Sequence, residues 1–422
     1  MIHETSEIGD ALAGLEPGIA ADAAAALGGL VGDEGLRSVT QRRLQQFLWY
    51  ELPMKWSRAE PGQLAVALSQ LFDLLGRPLY AAICRSATTA KVLAAYDRDP
   101  EEGFRAFQDA ERGSGIVPPD LEGLVWGSVM GVEEAAAYES CASALEFAIA
   151  SGTLRPKIPG WRLRQRDIVA DHLVAERDHE AGPSRLDAIM RERASRWSEG
   201  TGELRRRLLE PLLDQLLGEV LTPSGGAEAI EPLRWLLHEI GHGHTLTQSG
   251  RLSRTLVVRA AQRFGWRQES EPGSAVEVVE LLDLYRVAWR VGALRRSAHR
   301  LFLTPVGRRF IALPDALWRA VAGQLTMGGD IEAAVTELAL AVILDAGHTA
   351  QDDLCARLTE ILADAGWRDA EDGGTVRHAL LMLLRPARLF GFVSVQDAHV
   401  ALTDLGRAGA LVALRDRATR PL

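Results

Sequence analysis

The sequence predicts a mainly α-helical protein, in which an N-terminal helical domain is followed by two small domains that each combine three helices with a β-hairpin. Three observations predict it. Apolar residues recur at helical spacing through most of the chain. Residues 279–308 align without a gap on residues 378–407. After Gly292 and Gly391 the pattern switches to short alternating segments of hairpin type. The two copies share Leu281/Leu380, Leu282/Leu381, Leu284/Leu383, Arg286/Arg385, Gly292/Gly391, Leu303/Leu402, Thr304/Thr403, Gly307/Gly406 and Arg308/Arg407. Each follows a helical stretch that closes on Gly-Trp, at Trp266 and Trp367. Two copies of one unit predict two domains of one design.

Residues 1–35, rich in Ala, Gly and acids, read as a partly helical, weakly packed leader. Residues 36–152 form the helical domain. Its stretches RRLQQFLWYEL, GQLAVALSQLFDLLG, AAICRSATTAKVLAAYD, EEGFRAFQDAERG and EEAAAYESCASALEFAIASG are separated by Gly or Pro. Residues 153–225 turn charge-dense and predict exposed helices that connect or brace domains, with pairs such as Glu176 with His179 and Glu192 with Arg196 on one face. A hinge around Pro223 leads into repeat A, residues 226–325, and repeat B fills residues 326–422.

In repeat A, IEPLRWLLHEIG is a first helix and Thr245 to Thr247 a short extended piece. A second helix is capped by Ser253, and a third, starting at Ser274, runs through AVEVVELLDLYRVAWRV. A hairpin follows, and Pro305 opens a last helix, since proline is tolerated in the first turn. Repeat B repeats the order, with FVSV and HVALT as its hairpin. Helix, helix, helix, hairpin is the order of a winged helix.

Composition narrows the function. The net charge of −10 speaks against a protein that coats nucleic acid, because such binding needs Lys and Arg to displace counterions. The charge is unevenly spread. Residues 226–320 hold 14 Lys and Arg against 9 Asp and Glu, a net of +5, and residues 330–422 hold 9 against 14, a net of −5. Cys84, Cys141 and Cys355 are odd in number and widely spaced, which predicts buried thiols. The acidic N-terminus lacks the form of a secretory signal and no segment is apolar enough to span a bilayer, so a cytoplasmic protein with no membrane partner is expected.

The segment GALRRSAHRLFLTPVGRR, Gly292 through Arg309, resembles the wing of MarR-type and PadR-type winged-helix regulators, in which a strand ends in Leu-Thr-x-x-Gly-Arg before a helix. GFVSVQDAHVALTDLGRAG has the same form. Residues 230–320 are also similar to a module of uncharacterised actinobacterial proteins, plasmid-ORF-like ones among them. The similarity rests on Ile240-Gly241, on Leu246-Thr247-Gln248-Ser249-Gly250-Arg251-Leu252 and on Leu317-Trp318-Arg319. The resemblance covers less than half of the chain and implies tandem winged helices with a DNA-binding or regulatory role. Two features depart from it. DNA readers join the second and third helices by a tight turn, whereas residues 267–273 make that connection long. Glu277, Glu280 and Asp283 share one face of the third helix, where they would repel phosphates.

The basic residues of repeat A are the candidate nucleic-acid contacts. Arg286 and Arg290 lie late in the third helix, Arg295, Arg296 and Arg300 on the wing, and Arg308 and Arg309 in the next helix. Guanidinium groups suit phosphates by geometry and charge. The leading expectation is nonenzymatic regulation through duplex DNA, with residues 330–422 as a surface for a protein partner or self-association. The alternative is a scaffold or adaptor whose winged helices contact proteins only, leaving the arginines as a solvated or interdomain surface.

A zinc hydrolase is the third reading, since His238-Glu239-Ile240-Gly241-His242 matches the zincin pattern H-E-x-x-H. Gly241 and Gly243 are placed to end the helix there. Gln248 stands where a third ligand would, with His244 as a substitute, and repeat B keeps only His348. The residues around this motif therefore favour no metal and no cofactor. Trp235, Trp266, Trp289, Trp318 and Trp367 sit at helical apolar positions and read as packing residues. In the N-terminal domain Trp49, Tyr50, Trp56 and the Arg85-Ser86 pair could line a pocket, with no base or nucleophile beside them. No phosphate loop or nucleophile elbow is present, and no enzyme is expected.

Overall fold

The computed structural model describes residues 2–32, 35–55, 60–175, 183–218, 222–241, 243–266, 278–368 and 373–421. It is mainly helical, with 71% helix and 6% strand in two small three-stranded sheets. The chain divides into two compact units, residues 1–189 with 421–422, and residues 190–420.

The first unit is helical from its start: α1 (Ile2–Ala13), α2 (Pro17–Val31), α3 (Gln41–Gln46), a π-helical turn (Phe47–Glu51), α4 (Leu52–Lys55), α5 (Pro61–Leu74), α6 (Pro78–Cys84), α7 (Ala87–Arg98), α8 (Pro100–Ser114), α9 (Val132–Ala150) and α10 (Trp161–Val174). Local chemistry sets the starts. Prolines occupy the first turns of α2, α5, α6 and α8, and the side chains of Thr40, Ser86 and Asp99 accept the first free N–H groups of α3, α7 and α8. The segment expected to be a weakly packed leader contributes to the core, because Ala23, Ala26, Leu27 and Leu30 of α2 are buried against α5. Its small residues carry little periodic signal, yet they let two helices approach closely. Cys84, Cys141 and Cys355 are free and buried, and burial pushes the Cys84 and Cys141 thiols up to about 12. No helix among the described residues is long and apolar enough to cross a membrane.

The segment expected to be an exposed connector is split. Its α10 packs on α9 in the first unit, while α11 (Arg185–Ser198) crosses the boundary. In the second unit α12 (Glu203–Leu209), a 3-10 turn (Glu210–Leu212) and α13 (Leu213–Leu217) bury Leu208, Leu209, Leu212 and Leu216 in the core of the repeats. Their charges are used inward. The Glu337 carboxylate, 4% exposed, accepts from Arg205 at 2.8 Å and from Arg417 at 3.0 Å. Glu192 and Arg196 meet at 3.6 Å, and Glu176 and His179 lie outside the described residues.

After the short α14 (Gly226–Ala229), repeat A runs α15 (Glu231–Ile240), β1 (His244–Thr245), α16 (Arg254–Phe264), α17 (Val279–Arg290), β2 (Leu294–Ser297), β3 (Arg300–Leu303), α18 (Pro305–Ala312) and α19 (Pro314–Gly323). Repeat B runs α20 (Asp330–Ala346), β4 (His348–Ala350), α21 (Gln351–Asp364), α22 (Gly374–Leu389), β5 (Val393–Gln396), β6 (His399–Leu402) and α23 (Asp404–Ala418). Each sheet is antiparallel, and the short first strand pairs with the last, in the orders β1-β3-β2 and β4-β6-β5. Ser253 caps α16 as expected, while Ser274 lies outside the described residues. One continuous core joins the two repeats, so residue 325 divides no independent domains. Trp318 of α19, fully buried, meets Phe392 edge to face at 6.3 Å.

The residues shared by the repeats build one joint. Gly292 and Gly391, both at φ 67°, turn the chain out of the third helix in a conformation that favours glycine. Thr304 donates its hydroxyl to Gly292 O at 2.7 Å and accepts from Gly307 N at 3.0 Å, tying the end of one helix to the start of the next. Thr403 does the same with Gly391 O at 2.6 Å and Gly406 N at 3.0 Å. Gly307 and Gly406 then pass so near the backbone that an added Cβ would come within 2.3 Å of Ala293 O and 1.7 Å of Phe392 O. Gly406→Ala is therefore expected to cost about 2–3 kcal/mol, through backbone displacement. Gly409→Ala, whose Cβ would rest on the Phe392 ring at 3.6 Å, should be neutral or stabilising by up to about 1 kcal/mol. Urea unfolding of the two variants checks the contrast.

Candidate nucleic-acid interface

The exposed face of the β2–β3 hairpin is built by strand alternation. Arg295 pairs with Phe302 and Ser297 with Arg300, so these four share one face, while Leu294, Leu301 and Leu303 point into the core. The guanidinium carbons of Arg295 and Arg300 lie 4.9 Å and 5.2 Å from the Phe302 centroid, so one ring fixes two cations. Gly243, at φ 140°, seats this cluster: a Cβ there would come within 2.7 Å of the Arg300 guanidinium and 2.9 Å of Phe302. Arg296 falls on the opposite face at the tip, where its Nε donates to Ala298 O at 2.9 Å and its guanidinium lies over Gly250. Among the described residues, Arg295, Arg296 and Arg300 pair with no carboxylate. The corresponding hairpin of repeat B carries no Arg or Lys between Val393 and Leu402. The basic surface belongs to repeat A alone.

The remaining predicted contacts diverge from this cluster. Arg308, exposed in the first turn of α18, donates to Leu303 O at 3.3 Å, and Arg309 is exposed beside it. Arg286 and Arg290 point toward α22 and line a cleft with Asp283, Met382, Arg385 and Pro386. Equivalent positions of the two third helices line that cleft together: 283 and 382, 286 and 385, 287 and 386. Such self-matching is the signature of a two-fold contact, here within one chain.

Asp283 is the centre of that seam and corrects an expectation. Its carboxylate is not presented to solvent beside Glu280. It is 7% exposed, and it accepts from Arg385 at 3.1 and 3.3 Å and from Arg286 at 3.3 Å. The spacing shared with Glu280 held on the helix, but α22 covers the turn that carries Asp283. Glu277 and residues 267–273 lie outside the described residues. Arg385 was missed as a site residue, although the identity Arg286/Arg385 in the repeat was the signal for it. Trp235 and Trp318 are buried and Trp266 and Trp367 pack on the core, while Trp289 is 38% exposed and meets Tyr285 edge to face.

The zincin-like residues are engaged otherwise. α15 ends at Ile240, Gly241 adopts φ 38°, and His242 lies outside the described residues. His238 is exposed, and Glu239 pairs with Arg259 at 2.6 Å. His244 Nε2 accepts from Ser253 N at 3.4 Å, and burial lowers the His244 pKa against the opposing pull of Glu239. Among the described residues no three His, Cys, Asp or Glu gather closely enough to hold a metal ion.

Comparison with protein-family models, curated proteins and solved structures returns no match.

The seam makes a quantitative expectation. Asp283→Ala leaves two guanidinium groups facing each other, and because both are partly solvated the cost should be about 1–3 kcal/mol, below that of a fully buried pair. In a double-mutant cycle, Asp283→Ala and Arg385→Ala should couple by about 1 kcal/mol in urea unfolding. Additive losses would show that the pair does not hold the helices together.

Proposed function

We propose that the second unit is a tandem winged-helix module that contacts duplex DNA through the hairpin of repeat A. Arg295 and Arg300 would lie on the phosphate backbone, with repeat B serving as the intramolecular partner of α17. The observation that carries the reading is the Arg295–Phe302–Arg300 cluster, two cations held on an exposed β face without a carboxylate. A prepositioned guanidinium loses less freedom on meeting a phosphate than a free one. The same arrangement argues against base reading by α17, because one face of that helix is occupied by α22. Such a protein would grip DNA by its backbone and select sites weakly.

A second reading is favoured by the seam itself. Third helices paired with each other leave the hairpins and α16 and α21 as the outward surfaces of the module, which suits an adaptor that binds protein and holds no DNA.

Salt dependence separates the two. If Arg295, Arg296 and Arg300 each neutralise one phosphate, they contribute roughly 2.7 to the slope of log affinity against log salt, or a roughly 40-fold loss between 50 and 200 mM. Anisotropy titrations of labelled duplex DNA should show that slope flattened by two to three units when all three are changed to Ala. No binding at low salt would reject the DNA reading and leave the adaptor.

A further inference from the structure

The first unit contains a groove of about 830 Å³, within the range of small-molecule sites, that the hairpin of repeat A does not involve. Its floor is Trp49, aimed by the π-helical turn, a distortion often found at functional positions. The indole Nε1 donates to Thr89 Oγ1 at 2.8 Å, and that hydroxyl donates to Ile83 O at 2.8 Å and accepts from Ser86 Oγ at 3.1 Å. The floor is rigid before any ligand arrives.

The walls are cationic in a chain that hardly uses lysine. Of the three lysines in the whole sequence, Lys55, Lys91 and Lys157, two line this groove, together with Arg105. Lys157 is held there at φ 74°, a conformation disfavoured for a residue with a Cβ. The groove's acids are already matched from outside its lining. Arg98 Nε donates to Glu102 at 3.2 Å and Arg112 to Asp109 at 2.9 Å. Among the described residues Lys91 and Lys157 form no ion pair, and Arg105 forms none at contact distance, although its charge also acts on Glu102. The α7 N-terminus also opens into the groove, with Ser86, Ala87 and Thr88 in the lining, and adds a positive helix end.

One acceptor stands among these donors. Gln45 lines the groove, is 6% exposed, and its Oε1 receives no hydrogen bond. A buried acceptor left unmatched is a cost that a donor on a ligand removes. Ile83, Val92, Ala106 and Ala110 add apolar lining.

We infer that this groove binds a nucleoside phosphate, its phosphates taken by Lys91, Arg105, Lys157 and the α7 N-terminus and a hydroxyl or amino group of its body donated to Gln45. Phosphates match two unpaired lysines, Arg105 and a helix end better than a single carboxylate does. The volume suits a body of nucleotide size, and the lone acceptor selects a ligand that carries a donor.

Isothermal titration of the full chain with ADP, GDP, CDP and UDP, beside pyrophosphate and adenosine, tests the inference. At least one nucleoside diphosphate should bind with one-to-one stoichiometry, more tightly than pyrophosphate or adenosine. Lys91→Gln and Lys157→Gln should each weaken it by roughly tenfold. Gln45→Met should weaken the nucleotide and leave pyrophosphate unchanged. Gly113→Trp places a ring where a Cβ meets nothing within 4 Å, on a helix that gains from losing glycine, so it should abolish binding with the fold intact by circular dichroism. Changing Arg295, Arg296 and Arg300 to Ala should leave nucleotide binding untouched, so this inference fails or stands apart from the DNA reading. No heat from any nucleotide at about 1 mM, or binding that survives Gly113→Trp, overturns it.

Discussion

The Asp283 carboxylate, held between Arg286 of its own helix and Arg385 of the other repeat, is the contact on which the arrangement of the second unit turns. An isolated buried carboxylate would be prohibitively placed, and two guanidinium groups make it tolerable while fixing which turn of α17 faces which turn of α22. The ion cluster adds direction, and it orients the hairpin that follows α17 by only a few residues.

The same device recurs at Glu337, which Arg205 and Arg417 clamp from α12 and α23. Two buried acids, each between two arginines of which at least one comes from a distant segment, tie the charge-dense segment and both repeats to one core. Arg205, Arg286, Arg385 and Arg417 are committed to these two acids. It leaves the hairpin cations of repeat A as a separate population, stacked on Phe302 and turned outward.

Divergence between the repeats follows the division between backbone and surface. The joint of Gly292, Thr304 and Gly307 is kept as Gly391, Thr403 and Gly406, because each position answers to a backbone requirement: a positive φ, a paired hydroxyl, a carbonyl too near for a Cβ. The hairpin surfaces carry no such requirement. Arg295 and Arg300 correspond to Ser394 and His399, and the electrostatic character of one repeat is absent from the other.

The element order of both repeats was legible in the sequence because strand alternation, glycine turns, serine caps and first-turn prolines act over a few residues. So were the starts of α16 and α18 and the buried cysteines. The helical leader was misjudged as weakly packed, since alanines that fit between helices look like alanines that fit nowhere. Trp49 and Ser86 were noticed as possible pocket residues, but Arg85 turned to Asp73 and Tyr50 to Phe104 and Phe107. The scarcity of lysine marked Lys91 and Lys157 only once the fold had placed them on one groove. By itself the sequence determined what each segment becomes, because caps, turns and periodicity are local. Only the tertiary structure decided which side chains are covered, because a charge such as Asp283 is exposed or buried according to a helix a hundred residues away.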